Sequence, residues 1–234
     1  MFVIQKLVAE PSACSYLSGR QSTMEYICAS SLTGKEYEDC MNRGYRKFGN
    51  ILFRPVCGGC QECRPIRVPA ALFTPNRSQR RAWKRNQDLR VEVDVPIADD
   101  AHVNLYNRYH QAQSRRKGWK DNDLDVDEYD TNFLQSTVPN VEIGMWQGPA
   151  LLAVLLAEIT PNVVSAIYHY HDLDLAERGL GTFCVMHAIE LARRLQKSWV
   201  YFGFYVAQCR SLAYKAAFKP SEIMNADGIW HEQR

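Results

Sequence analysis

The stretch ALLAVLLAEITPNVVSAIYHYHD, residues 150–172, decides the fold of this chain. Residues 150–159 are apolar except for Glu158, and such a run predicts a strand. After the turn residues TPN, residues 163–172 alternate between apolar and polar side chains, with the period of two that strands have. Two neighbouring strands are therefore predicted, and Glu158 and Ser165 are the polar positions that interrupt their apolar runs.

The segments on either side extend this pattern of strands and add helices. Further strands are predicted over 141–147 and 198–206, and helices over 101–118, about 181–197 and 207–217. Strands that alternate with helices in this way predict an α+β protein in which a mixed sheet has flanking helices.

A domain boundary is predicted near residues 91–100, where VEVDVPIADD combines a strand with an acidic connector that contains proline. The basic run and most of the cysteines precede this boundary, and only Cys184 and Cys209 follow it. The sequence therefore predicts a small Cys-rich, basic domain over 1–92 and a larger domain over 93–234.

The composition is that of a globular protein, because 46% of the 234 residues are apolar and 23% are charged. The net charge is only +2, so binding to nucleic acid has to come from local clusters of basic residues. No stretch approaches the roughly 20 apolar residues of a membrane span, and the first residues do not resemble a signal peptide. We therefore expect a cytoplasmic protein with no membrane partner and with reduced thiols.

Three cysteines at a spacing of three, Cys57, Cys60 and Cys63, predict a metal site. Cys14 is the best candidate for a fourth ligand, ahead of Cys28 and Cys40. Either a structural zinc ion or an iron–sulfur cluster fits these thiolates, and neither would take part in the chemistry of a reaction. The alternative is a set of buried free cysteines.

The run NRSQRRAWKRNQDLR that follows predicts a helix with a basic face. Its candidates for binding RNA are Arg77, Arg80, Arg81, Trp83, Lys84 and Arg85. Guanidinium groups pair with phosphate oxygens, and a tryptophan can stack on an unpaired base. The alternative is a helix face that is simply solvated.

Three long motifs in the first half resemble one family of bacterial enzymes: CSYLSGR, then RGYRKFGNILFRPVCGGCQECRPIRVP, then FTPNRSQRRAWKRNQDL. The second half agrees through ERGLGTFCVMHAIELAR and WVYFGFYVAQCRSLAYKAAFKPSEI. These motifs are similar to the aminoacyl-tRNA–protein transferases, which comprise the aspartate/glutamate leucyltransferases and the related arginyltransferases. The resemblance spans nearly the whole chain.

The resemblance implies a reaction, a fold and two partners. An amino acid would pass from aminoacyl-tRNA to the α-amine of a protein with N-terminal Asp or Glu, which marks that protein for degradation by the N-end rule. Leucyl-tRNA is the favoured donor and arginyl-tRNA the alternative. The second domain would have a GNAT-like acyltransferase fold, and no cofactor would be needed for the chemistry beyond the iron–sulfur or zinc site that the cysteines suggest.

The segment AERGLGT, residues 176–182, tests whether coenzyme A is the donor. GNAT acetyltransferases hold a pyrophosphate with the pattern Arg/Gln-x-x-Gly-x-Gly at a helix N-terminus. Gly179 and Gly181 are present here, but Ala176 stands where the Arg or Gln would be. This departure argues against coenzyme A, although the two glycines can also simply form the turn into the helix.

Aminolysis of an ester needs polar groups beside the transferring carbonyl. The candidates for this catalytic role are Glu158, Ser165, Tyr205, Tyr214 and Lys215. Glu158 is a possible base, and Lys215 a possible partner for an oxyanion or a phosphate. His169 and His171 are interpreted as structural residues.

Recognition of an acidic N-terminal residue calls for a cation in the substrate pocket, because an unpaired buried carboxylate is costly. The candidates are Arg20, Arg46, Arg54 and Arg67. A pocket for leucine has to be apolar, whereas a pocket for arginine needs a carboxylate, and the sequence leaves this choice open. A protein of another class, a non-catalytic RNA-binding protein with a zinc knuckle, is the competing hypothesis.

Overall fold

The computed structural model describes residues 1–118 and 123–233. Its strands are β1 Phe2–Val8, β2 Ser12–Ala13, β3 Gln21–Ser22, β4 Met24–Ser31, β5 Arg46–Phe48, β6 Ile51–Pro55, β7 Arg64–Pro69, β8 Arg90–Asp94, β9 Asn140–Gln147, β10 Ala150–Ile159, β11 Val163–His171, β12 Trp199–Tyr205, β13 Ser221–Met224 and β14 Trp230–Gln233. Its α-helices are α1 Gly34–Met41, α2 Arg77–Arg85, α3 Asp100–Lys117, α4 Val126–Tyr129, α5 Leu180–Arg194 and α6 Arg210–Ala213. Turns of 3-10 helix cover Leu173–Arg178 and Tyr214–Ala217, and a π-helical turn covers Asp130–Leu134.

The larger sheet has eight strands in the order β14-β13-β7-β12-β11-β10-β9-β8. Its pairs are antiparallel apart from β11 and β12, which are parallel and are connected through α5. The sheet is therefore mixed and has flanking helices, as the sequence predicts. The predicted strands and helices between 140 and 217 are confirmed, with ends that differ by up to three residues.

The two faces of this sheet carry different layers, because successive side chains of a strand point to opposite faces. On one face, Leu155 and Val164 pack against α5 through Phe183 and Ile189. On the other face, Val154 and Leu156 pack against α3. Asp99 caps the N-terminus of helix α3, because its side chain accepts a hydrogen bond from the backbone N–H of His102.

The smaller sheet has the order β1-β4-β6-β5 and is entirely antiparallel. Together with α1 it packs on the large sheet, where Tyr37 and Leu52 meet Val163 and Tyr201. Helix α1 has a capping box between Thr33 and Glu36, which satisfies N–H groups in its first turn. The part of the large sheet around Val163 and Tyr201 is thus covered by the small sheet together with α1.

The predicted unit 1–92 is divided between the two sheets. Strand β7 lies inside the large sheet, between β12 and β13, and β8 forms the opposite edge of that sheet. Helix α2 packs on α5 through Trp83. The strands before β7 belong to other sheets, whereas β7 and β8 belong to the large sheet.

Within the described residues, 1–118 and 123–233, no helix is both long enough and apolar enough to cross a bilayer.

Candidate active site

A cavity of about 860 Å³ lies beside the small sheet and the end of β12. Its apolar wall includes Phe48 and Phe53 of the small sheet and Phe204 of β12. Phe53 and Phe204 meet edge to face with their ring centres 6.3 Å apart. Tyr16, in the loop before β3, contributes a phenol to the same lining.

The parallel strands β11 and β12 separate next to this cavity. Their pairing covers only Val163–Ser165 and Trp199–Tyr201, although β11 continues to His171 and β12 to Tyr205. The register also shifts on both sides of this point, between Leu156 and Ala157 in β10 and between Tyr201 and Phe204 in β12. Such irregularities re-aim side chains and are common beside active sites.

The guanidinium of Arg46 occupies the gap between β11 and β12. Its Nη2 donates to the carbonyl of Ala166 in β11 at 2.7 Å. On the other side, a Cβ atom at Gly203 of β12 would lie 3.0 Å from Nε of Arg46. Gly203 has a φ of 81°, which other residues rarely adopt, so glycine is needed here for both backbone and space.

Lys215 is a second cation at the same gap. Its Nζ donates to the carbonyl of Phe204 at 2.8 Å. Burial and the positive charge of Arg46 together lower the pKa of this amine to about 7, against an opposing effect of Cys209. A substantial fraction of Lys215 is therefore a neutral amine near pH 7.

Two stacked histidines lie near the N-terminus of α5. The rings of His169 and His171 are almost parallel with centres 6.0 Å apart. A Cβ atom at Gly181 would lie 3.0 Å from Cε1 of His171, so only glycine lets the helix approach this closely. Burial lowers the pKa of His169 to about 3 and that of His171 to about 4, so both rings are neutral at pH 7.

The predicted pair Glu158 and Ser165 are cross-strand neighbours under the small sheet. The carboxylate of Glu158 pairs with Lys47 of β5 and accepts from Ser136 Oγ at 2.6 Å. Burial raises its pKa, while the charge of Lys47 opposes that rise. Ser165 Oγ lies 3.2 Å from the hydroxyl of Tyr37. Both side chains are thus held in the interface between the two sheets.

Each of the two predicted tyrosines is next in sequence to a residue of the hydrogen bond between Lys215 and Phe204. Tyr205 ends β12, and the guanidinium of Arg64 lies 5.5 Å from its ring centre. The ring centre of Tyr214 lies 6.5 Å from that of His169. Tyr214 and Lys215 therefore stand beside the gap, but none of the five predicted catalytic residues lines the cavity itself.

The four arginines predicted to bind substrate differ in their partners. Arg67 pairs with Glu222 and lies between Trp199 and Trp230, with its guanidinium carbon 3.9 and 4.1 Å from their ring centres. This arrangement makes Arg67 a structural residue of the large sheet. Arg54 pairs with Glu25, and Arg20 donates to Sγ of Cys60 at 3.4 Å.

The predicted ligands Cys14, Cys57, Cys60 and Cys63 all line the cavity. Burial, together with the negative charge that Cys14, Cys57 and Cys60 can carry, raises the pKa of Cys63 to about 12, so these four thiols lie near one another. The donor set suits zinc or iron–sulfur. In the part of the chain described, however, no three such side chains already converge as ligands. The backbone of Thr23 instead holds the Cys57 thiol by hydrogen bonds to its N–H and carbonyl.

Helix α2 presents its basic residues to solvent. Its exposed residues are Arg77, Arg80, Arg81, Lys84 and Arg85. A capping box between Asn76 and Gln79 fixes the start of the helix. Trp83 faces inward instead and stacks on His187 with ring centres 4.6 Å apart. The structure therefore gives Trp83 a role in packing α2 on α5.

Two family sequence models match the chain. The one described as "Arginine-tRNA-protein transferase, C terminus" matches residues 101–225, and the one described as "Arginine-tRNA-protein transferase, N terminus" matches residues 12–81. The chain belongs to the arginine-tRNA-protein transferase family.

Curated relatives in this transferase family carry one description, "Aspartate/glutamate leucyltransferase". The protein from Chromobacterium violaceum is 34% identical over 94% of this chain and 90% of its own length. The protein from Halorhodospira halophila is 32% identical over 94% of this chain and 93% of its own length. The protein from Campylobacter jejuni is 30% identical over 90% of this chain and 89% of its own length.

Two solved structures are similar to this family member at a greater distance. A C-terminal domain of a putative lysylphosphatidylglycerol synthetase from Agrobacterium fabrum matches with a TM-score of 0.46 and 12% identity. That match covers 81% of this chain and 57% of the solved one, so this chain spans just over half the length of the solved protein. FemX matches with a TM-score of 0.45 and 11% identity.

Sequence reasoning missed Lys47, Gly203 and Tyr16. A glycine inside the aromatic strand YFGFYV is a signal of a bulge or a close approach, so Gly203 was open to detection. Lys47 and Tyr16 carry no such signal, because their importance depends on contacts with β10 and with the cysteine loop that only the folded transferase brings together.

Proposed function

We propose that this protein transfers leucine from leucyl-tRNA to the α-amine of proteins that begin with Asp or Glu, in the cytoplasm and within the N-end rule pathway. Membership of the transferase family supports the reaction class. The relatives named aspartate/glutamate leucyltransferase support the acidic acceptor and the leucyl donor.

The lining of the cavity favours leucine over arginine as the transferred residue. It includes Arg43, Arg54 and Arg64 and, among the described residues, no Asp or Glu. An arginyl side chain would meet like charges there without a carboxylate partner, which is costly in a site with little water. A leucyl side chain would instead contact Phe48 and Phe53. This absence of acidic groups is the observation that carries the choice of donor.

In the proposed reaction the neutral α-amine attacks the ester carbonyl and the 3′ hydroxyl of the tRNA leaves. Lys215, as a neutral amine, would accept the proton that the acceptor ammonium loses. Once protonated, it would stabilise negative charge on the carbonyl oxygen. Positioning of the two substrates supplies most of the rate, since orientation alone is worth about 7–11 kcal/mol in such reactions.

The eight-stranded sheet is proposed to be a GNAT-like acyltransferase sheet, with the gap between β11 and β12 as the place where the acyl group is held. The supporting feature is the pairing of the two parallel strands, which stops after Ser165 and Tyr201. Gly179, with a φ of 70°, begins α5 beside this gap without a side-chain cap.

The exposed face of α2 is the proposed contact for tRNA phosphates. None of Arg77, Arg81 and Lys84 has an acidic partner among the residues described, so their charges remain available. Exposed cations of this kind hold the nucleic-acid backbone and not its sequence.

The cysteines Cys14, Cys57, Cys60 and Cys63 are proposed to hold zinc or an iron–sulfur cluster that organises the wall of the cavity. Metal analysis of protein purified without oxygen, together with its absorbance near 400 nm, distinguishes the two. Cys57→Ser is expected to lower the metal content, whereas the buried Cys184→Ser, in the core under α5, serves as the matched control. If the protein purified without oxygen holds neither zinc nor iron, this proposal is wrong.

Transfer of radiolabelled leucine and arginine from their tRNAs to a peptide that begins with Asp tests the function. We expect incorporation of leucine and little of arginine. Efficient incorporation of arginine would reverse the choice of donor. Binding of tRNA without transfer of either amino acid would instead favour a non-catalytic RNA-binding protein.

A further inference from the structure

We infer that Arg46 recognises the side-chain carboxylate of the acceptor's first residue, through its unpaired Nη1. The inference rests on the proposed transfer to acidic N-termini and assigns the specificity of that reaction to one guanidinium.

The first observation is a buried cation whose hydrogen bonds are incomplete. Arg46 is 6% exposed, and its Nη1 has no hydrogen-bond partner. A buried donor without a partner is costly, and such groups are often reserved for a ligand. By contrast, the guanidinium groups of Arg54 and Arg67 each already pair with a carboxylate.

The second observation is the direction in which Arg46 points. Arg46 and Phe48 alternate with Lys47 along β5, and Arg46 is paired in register with Phe53 of β6. Phe48 and Phe53 both line the cavity, so Arg46 belongs to the same face of the small sheet.

The third observation is that the surroundings lack a resident anion. The basic group nearby is Lys215, at Phe204 next to Gly203, and the carboxylate of Glu158 already pairs with Lys47. A buried guanidinium without a paired carboxylate favours a bound anion. The cavity beside it contributes no acidic side chain of its own within the described residues.

The geometry favours a carboxylate over a tRNA phosphate. Nη2 of Arg46 is already committed to Ala166, so the remaining donors on Nη1 suit one carboxylate oxygen. A phosphodiester is bulky and strongly hydrated and suits exposed cations, which α2 supplies elsewhere. An Asp or Glu side chain is narrow enough to reach a buried guanidinium while its α-amine stays in the cavity.

The experiment compares peptides that begin with Asp and Asn, and with Glu and Gln, because each pair differs in charge and hardly in size. For the unaltered protein, kcat/KM should be much higher for Asp than for Asn. In Arg46→Met this ratio should fall by about 10- to 100-fold, the usual worth of a hydrogen bond to a charged group. The KM for leucyl-tRNA should not change.

Arg54→Met is the matched control, because Arg54, on the strand that pairs with β5, lines the cavity but already pairs with Glu25. It should leave the Asp-to-Asn ratio unchanged, whatever it does to overall activity. Arg46→Lys, which keeps a cation, should restore part of the ratio. Circular dichroism and thermal melting establish that each variant is folded, and calorimetric binding of the two peptides gives a readout independent of turnover.

A ratio unchanged in a folded Arg46→Met variant would overturn the inference and leave the transferase function intact. A raised KM for leucyl-tRNA with an unchanged ratio would assign Arg46 to a phosphate instead. A fall in the ratio with Arg54→Met alone would move the recognition to Arg54. If the unaltered protein transfers nothing, the proposed function fails first, and this inference fails with it.

Discussion

The amine of Lys215 donates to the carbonyl of Phe204, and burial there brings its pKa to about 7. An ordinary lysine has a pKa near 10.4 and is protonated throughout the physiological range. Position in the fold therefore turns a common surface cation into a group that exchanges protons at neutral pH. Arg67 illustrates the opposite outcome, because two tryptophans and Glu222 fix it as a structural cation.

Lys215→Met should lower kcat by about 10²- to 10⁴-fold, the usual contribution of a general base, and leave the KM for leucyl-tRNA unchanged. In the unaltered protein kcat should rise with pH through about 7, because Lys215 acts as a base only when deprotonated. The variant should lose the inflection near 7 and keep only the rise set by the acceptor's own α-amine, whose pKa is near 8. Lys215→Arg, which stays charged, should behave like Lys215→Met, and an inflection near 7 retained in either variant would contradict the role.

Glu25 joins three strands of the small sheet by accepting from Tyr45, from Arg54 Nε at 2.7 Å and from Lys6 Nζ at 2.9 Å. Burial opposes its ionisation, but these hydrogen bonds prevail and lower its pKa to about 2. A depressed carboxyl pKa stabilises the fold above the unfolded value of 4.5, and this contribution is lost as the pH falls toward 2.

Glu25→Gln should therefore destabilise the protein by about 1.5–3 kcal/mol at pH 7, as measured by urea unfolding. The difference from the unaltered protein should shrink as the pH falls from 4.5 toward 2, because the unfolded state then binds a proton at Glu25 that the folded state does not. Glu10→Gln, at an exposed position, is the control and should have little effect. A difference that does not depend on pH would contradict this account.

At the scale of elements, α2 serves two surfaces at once. Its inward residues Ala82 and Trp83 pack toward Gly179 and α5, while its arginines face solvent. Asn86 extends this attachment by donating to the carbonyl of Arg178 at 3.0 Å. The helix is therefore a rigid platform for charge, tied directly to the turn that begins α5.

The double substitution Arg77→Gln and Arg81→Gln should raise the KM for leucyl-tRNA without changing kcat at saturation. It should also reduce the slope of log K against log salt by roughly 1.5 to 2, since two phosphate contacts disappear. Arg194→Gln, on the exposed end of α5, is the control for losing a surface arginine outside α2. An unchanged salt slope in the double variant would exclude α2 from the tRNA contact.

Some elements were predictable from sequence and others were not. The strands β9 to β12 and the helices α3 and α5 follow from apolar runs and helical spacing. Strand β7, RPIRVP, has two prolines and two arginines, a composition typical of an edge, yet it lies in the middle of the large sheet. Its central position depends on Trp199 and Trp230, which cover Arg67 from distant parts of the chain.

The candidate site was predictable by residue type but not by arrangement. Family motifs indicated Arg46 and Lys215 among several polar candidates. Nothing in the sequence distinguishes Arg46 from Arg54. They differ in their surroundings in the fold, because Arg54 pairs with Glu25 whereas Arg46 lies in the gap beside Gly203. Trp83 was predicted to stack on an unpaired base of RNA. In the fold it stacks on His187 of α5 instead, because the packing of α2 on α5 decides which way this side chain faces.

At the scale of the whole molecule, the two halves of the sequence form one large sheet. A fragment of residues 93–234 lacks β7 and most of β8, so β12 and β13 would lose the strand between them along with the buried side chains of Ile66 and Val68. We expect this fragment to show no cooperative unfolding transition, unlike a fragment that begins at residue 64. A cooperative transition in fragment 93–234 would indicate an independent second domain.

The location of β7 also has a consequence for synthesis on the ribosome. Arg67 finds its partner Glu222 only 155 residues further along the chain. At about 5–20 residues per second, β7 waits roughly 8 to 30 s before β13 is made. During this interval its unpaired edges are open to wrong partners, so nascent chains of this protein should depend on chaperones more than their modest length suggests.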